Sequence, residues 1–229
     1  SSPNPHSKAA VDEWNGQTIN IYGMKLGKDG KYDFNDQTNI MDYATAVTNS
    51  NVSHLEIAKD KTTGAPYYYM EEYIYDFYGY HIGGATIKST YHQDRGLAMD
   101  IEFTGAEDLM YAYTDRARDI LASGNTTLTD NNVYSAHAAR RNVQPTLIFK
   151  HALSRFNFIA KGCGNKYDII EITGLEVMAR NKGRMTLAEG KTGFAVDETS
   201  APVALRLRNA DGSDLEVQDI VPNIKEVPL

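Results

Sequence analysis

The sequence predicts an all-β protein arranged as a sandwich, and three observations carry that expectation. Apolar and polar residues alternate with a period of two in several short segments, the spacing of a strand with one buried face. Fifteen tyrosines stand against one tryptophan. Tyrosine suits half-wet strands, because its ring packs while its hydroxyl reaches water. Clusters of Gly, Asn, Asp and Lys separate the alternating segments and read as turns.

With 229 residues, 41% of them hydrophobic and 23% charged, the chain is long enough for one large β domain or one domain plus a smaller second one. No apolar run approaches the length of a membrane span. A net charge of −7 argues against binding to phosphate backbones, which needs clustered Lys and Arg, so nucleic acid is not an expected partner. The single cysteine, Cys163, lies in a Lys-Gly-Cys-Gly turn and can form no internal disulfide. It reads as a free thiol, and stability must come from the core.

Residues 1–13 are rich in Ser, Pro, Asn and Lys and read as a flexible lead-in. Residues 14–190 are expected to form the sandwich. Its first strand starts near Thr18, with Ile19, Ile21 and Gly23 on one face, and ends in the turn Gly27–Lys31. Residues 33–63 read as a long loose connection with a short apolar patch at Val52–Ile57. Pro66–Gly84 holds seven tyrosines and one phenylalanine, with apolar or amphipathic residues at both parities, which suits a strand packed on both sides. Thr86–Tyr91 and Leu97–Phe103 should pair as a hairpin, and Ala106–Thr114 forms another strand. Arg116–Asn142 reads as a loop, with a helical turn or two around Asp115–Ala122.

The strongest apolar run is Gln144–Gly162, fenced by Pro145 and Gly162. Leu147, Phe149, His151 and Leu153 share one parity, and Phe156, Phe158 and Ala160 the other. That pattern fits a long central strand with a bulge near Ser154–Arg155; a helix is the competing reading, since Phe149, Leu153, Phe156 and Ala160 also fall at helical spacing. Tyr167–Ile172 and Leu175–Arg180 follow as strands, then a Gly-rich polar break at Asn181–Gly193, then the alternating Val203–Arg208. Residues 191–229 read as the start of a second β domain, or as a linker or donor segment. Pro222 and Pro228 keep their end out of a sheet interior.

Catalysis is not expected. The six histidines and 30 carboxylates fall into no His-Glu-x-x-His, Gly-x-Ser-x-Gly, phosphate-cradling or metal-spaced pattern. No cofactor or metal is implied. Glu107 and Asp108 are neighbours in a strand and so point to opposite faces, poor geometry for a cooperating acid pair or a calcium site. His151 reads as a hydrogen-bonded core histidine. The Tyr67, Tyr68, Tyr69 cluster could instead serve a carbohydrate-binding sandwich as a stacking platform.

Four segments in order carry a family resemblance: Trp14 with Ile19-Asn-Ile-Tyr-Gly, Tyr75-Asp-Phe-Tyr-Gly-Tyr, Asp108-Leu-Met-Tyr-Ala, and Leu147-Ile-Phe-Lys-His-Ala-Leu-Ser-Arg-Phe-Asn-Phe. Together they resemble the fimbrillin-like (major and minor fimbrium subunit) proteins of Bacteroidales. The likeness spans about Trp14 to Lys161 and weakens through Arg180. It implies a transthyretin-like β-sandwich of about seven strands, export as a lipid-anchored precursor, and location in a fimbrium on the outer membrane surface. It also implies adhesion, and assembly by exchange of a strand with subunits of the same or sister type; a host glycan or protein is a further implied partner. In that family an arginine-specific protease removes an N-terminal strand, and a start at Ser1 with no lipid-carrying cysteine is compatible with such processing or with trimming. A donor strand within this chain would be Leu215, Val217, Val221, Ile224 and Val227, the apolar positions of an otherwise unassigned end.

Overall fold

A computed structural model describes residues 18–26, 40–49, 52–55, 63–66, 68–91, 97–114, 116, 120, 123–125, 127–129, 132–154, 156, 159–160, 170–172, 174–188, 192–206, 218–220 and 227–228. The expected lead-in 1–13, Trp14, the turn 27–31 and Cys163 lie outside them. The protein is all-β, and its centre is a sandwich of two antiparallel sheets. The first has seven strands: β1 (Thr18–Leu26), β2 (Ile40–Asn49), β3 (Val52–Leu55), β4 (Ile74–His81), β7 (Met110–Thr114), β8 (Tyr134–Ser135) and β9 (Lys150–His151). Their order is β3-β2-β1-β4-β7-β9, with β8 pairing to β4 beyond the end of β7. The second sheet has the order β14-β13-β6-β5, from β5 (Thr86–Tyr91), β6 (Leu97–Glu102), β13 (Lys182–Ala188) and β14 (Gly193–Val196).

The core follows from side-chain parity. Tyr22 and Met24 of β1 and Tyr78 and Tyr80 of β4 point inward, where they meet Leu97, Met99 and Ile101 of β6 and Met185 and Leu187 of β13. All are buried. The opposite parity of the same two strands is buried too: Ile19, Ile21, Tyr75 and Phe77 form a second cluster on the outer face, with Tyr134. β4 is therefore packed on both sides, as its aromatic density required. Gly79 sits in the middle of that outer face, and a Cβ there would lie 2.8 Å from the Phe149 ring and 3.2 Å from Leu147. Its missing side chain is the seat for those two residues.

Three expectations are corrected. The connection 33–63 contributes two strands, β2 and β3, which extend the large sheet beyond β1. The polar break 181–193 contains β13, whose Met185 and Leu187 are fully buried between the sheets. Gly183 looks like a breaker but is required: a side chain would run into the Phe194 ring and lie 2.6 Å from the Ala195 carbonyl on the paired β14. Gln144–Gly162 is not one long central strand. Among its described residues, 144–149 form a strap without strand pairing, Lys150–His151 joins the edge of the large sheet, Ile159–Ala160 is a short strand paired elsewhere, and Ile148 and Phe156 are exposed; Arg155, at the expected bulge, lies outside the described residues. Of the helical turns expected around 115–122, only residues 116 and 120 are described, and both are helical.

The later strands form nested antiparallel pairs around the β13–β14 hairpin. β12 (Glu176–Ala179) pairs with β15 (Val203–Arg206), β11 (Ile170–Ile172) with β16 (Gln218–Ile220), and β10 (Ile159–Ala160) with β17 (Val227–Pro228). Strands on either side of residue 190 are thus joined directly.

Candidate strand-acceptor site

The site is built by the strap and the edge strand it leaves. Ser135 starts helix α1 (Ala136–Arg140) by accepting a hydrogen bond from the Ala138 backbone N–H on its side chain, at 3.2 Å. Asn142 ends it in the left-handed region at φ 64°, a conformation asparagine tolerates well. The backbone N–H groups of Asn142 and Val143 donate to Ala139 and Ala138 carbonyls, and the chain then runs as the strap over the outer face. Leu147 and Phe149 drop onto the second cluster over Gly79. Ile148, at the intervening parity, points away and is 74% exposed.

The far end of the strap is pinned. Met110 and Tyr111 pair with His151 and Lys150, and the Ala152 N–H donates to the Leu109 carbonyl at 2.7 Å. His151 Nδ1 lies 2.9 Å from Asp108 Oδ1. The side-chain exposures are 47% and 7%, so the expected core histidine is instead a surface side chain leaning on a buried carboxylate. Asp108 is held from behind by Gly83, whose φ of +57° lets the backbone approach: a Cβ there would lie 3.0 Å from the Asp108 nitrogen. Glu107 serves its own turn, accepting from the N–H groups of Thr104 and Ala106 and from the Thr104 hydroxyl. The two carboxylates do different work, but not because they alternate along a strand: the strand expected over Ala106–Thr114 begins only at Met110, and Glu107 and Asp108 lie in the bend before it.

Between pinned end and helix, the strap bows away from β7. Met110 and Tyr111 have strand partners on this side; among the described residues, Ala112, Tyr113 and Thr114 have none. A cleft of about 290 Å³ lies along this edge, walled by Tyr111–Thr114 on one side and Thr146, Ile148 and Lys150 on the other. Its lip is amphipathic. Tyr113 is 41% exposed, and the Lys150 ammonium stands 5.7 Å from its ring centre. At the far end the Thr114 and Tyr134 hydroxyls are hydrogen-bonded at 2.9 Å.

The other expected site residues fall elsewhere. Tyr68 is 79% exposed. Tyr69 turns inward, edge-on to Tyr75 at 5.1 Å and to Phe77 at 6.1 Å. Burial, followed by the neighbouring Tyr134 and Tyr75, pushes its hydroxyl up to about 12. Tyr67 lies outside the described residues. Of the donor positions, Leu215, Val217, Val221 and Ile224 lie outside them, and Val227 pairs with Ala160 of the same chain. No three His, Cys, Asp or Glu side chains gather around a common point among the described residues. The cleft was not foreseen from the sequence; Pro145, in a segment otherwise alternating like a strand, was the available signal, since proline cannot donate to a ladder.

Comparison with protein-family models, with curated proteins and with solved structures returned no match to this chain.

Proposed function

We propose that the chain is a structural subunit of a cell-surface fimbria, joined to subunits of its own or a sister type by strand addition, and so contributing to adhesion. The observation that supports this most is the bare edge at Ala112–Thr114 in the cleft under the strap. An unpaired strand edge offers backbone donors and acceptors, and an added strand satisfies them while its side chains enter flanking pockets. Here alternate residues of the added strand would meet Tyr111 and Tyr113 on one side and the strap on the other.

The test uses the full chain. Concentrated protein should give ladders that survive detergent without boiling, or should capture a labelled peptide covering residues 215–229, the donor suggested by the sequence, whose residues 218–220 and 227–228 pair with β11 and β10 within the chain. Replacing Ile148 by Asp, which places an uncompensated charge on the lip, should abolish both without changing the melting temperature. A chain that stays monomeric and captures no strand overturns the reading.

A further inference from the structure

We propose that the β12–β15 ribbon is a second, separate interface, through which two copies of this chain pair β12 to β12 around a two-fold axis at Met178. Two strands alone make a marginal sheet in water, and this ribbon leaves the edge of β12 opposite β15 without a strand partner among the described residues. One face of β12 carries Glu176 and Met178, and Arg180, just past the end of the strand, continues it; all three are exposed, with Met178 at 66%. Across the ribbon that face continues into Ala204 and Arg206, also exposed. The other face carries Val177, Ala179 and Leu205, half-buried, and Leu205 lies against Gly105 of the sandwich. The exposed face is thus the one turned from the body of the protein.

The occupant follows from the order of charges. In an antiparallel pair of identical strands centred on residue 178, residue 176 of one copy lies opposite residue 180 of the other. The sequence Glu176-Val-Met-Ala-Arg180 then sets each glutamate against the partner copy's arginine at both ends, with methionine against methionine between them. Glu176 would sit between Arg206 of its own ribbon and that arginine. Arg180 already donates to the Ser200 carbonyl at 3.0 Å, which holds its stem along the ribbon. A register shift of one residue would put the apolar face outward and lose both charge pairs, so the register is specified. The assembly is a closed dimer, because the same surface is used on both copies.

The experiment is sedimentation of the full chain over a range of concentrations, with charge variants. The wild type should dimerise, more weakly at high salt. Glu176→Arg alone should weaken dimerisation about tenfold or more, since it sets like charges opposite each other twice per dimer. Arg180→Glu alone should do the same, and the two together should recover the dimer in part, since the intermolecular signs are exchanged while position 176 then faces Arg206 of its own ribbon. In a Cys163→Ser background, Met178→Cys should oxidise to a disulfide-linked dimer, because directly opposed Cα atoms stand about 4.5–5.5 Å apart, within disulfide range. The variants alter exposed side chains, and unchanged melting curves show that they fold. A monomeric wild type, a dimer indifferent to Glu176→Arg, or crosslinking that yields ladders instead of a closed pair overturns the proposal. Ile148→Asp should leave this dimer intact, which separates it from strand addition at β7.

Discussion

β6 and β12 are two strands of similar apolar make-up with opposite fates. Leu97, Met99 and Ile101 of β6 are almost completely shielded, whereas Met178 of β12 is two-thirds exposed and Val177 only half-buried. The difference lies in what surrounds each strand. β6 has β5 and β13 on its two edges and the large sheet across its inner face; among the described residues, β12 pairs with β15 alone. Alternation therefore shows that a strand has an apolar face, and only its neighbours decide whether that face stabilises this chain or waits for another.

The sharpest contrast is available by truncation at the two sites. Leu97→Ala should cost about 2–5 kcal/mol in denaturant unfolding, the range for a large core side chain whose cavity cannot collapse. A loss under about 1 kcal/mol would mean that the sandwich core is not the stabilising centre described here. An intermediate effect is expected on the outer face of the small sheet, where Asp100 of β6 accepts two hydrogen bonds from Arg184 of β13 at 2.7 and 3.1 Å and others from Ser89 and Tyr91 of β5. The Arg184 hydrogen bonds, with those from Tyr91 and Ser89, lower its carboxyl from 3.8 to about 2. The unfolded chain takes up that proton first as pH falls. The stabilisation is therefore present above pH 3.8 and lost as pH drops towards 2. Asp100→Asn should cost about 1 kcal/mol at neutral pH, discounted for its exposure, and should flatten the stability profile across that window. The smallest effect belongs to the ribbon: Met178→Ala should change unfolding of the monomer by no more than about 0.5 kcal/mol while weakening the dimer.

How far the sequence could be read tracks the same distinction. β1, β4, β5, β6 and β7 were legible because dense apolar alternation met clear turn residues at their ends. β2 was missed because its Ala, Thr, Asp and Asn dilute the pattern. β13 was missed because Gly183 and the polar residues after it resemble a break, yet that glycine answers to Phe194 and Ala195, residues more than ten positions away. The 144–149 segment failed differently. Its alternation is real, with Leu147 and Phe149 inward and Ile148 outward, but Gly79 invites those side chains onto the sheet face instead of into the sheet. The cleft beside Ala112–Thr114 exists because of that choice, and no local pattern encodes it. His151 was misjudged for the same reason: its place at an edge, against Asp108, is set by where the strap ends.

The nesting of the later strands bears on how the chain closes up. Joining Ile159 to Pro228 directly would mean closing a loop of some seventy residues, an entropic demand that rises with length. Once β13 and β14 have paired, each outer pair spans a shorter remaining gap than the full loop. The second half of the molecule is thus arranged to fasten like a zip, from the sandwich outward, and hydrogen exchange should find its outermost rungs the first to part.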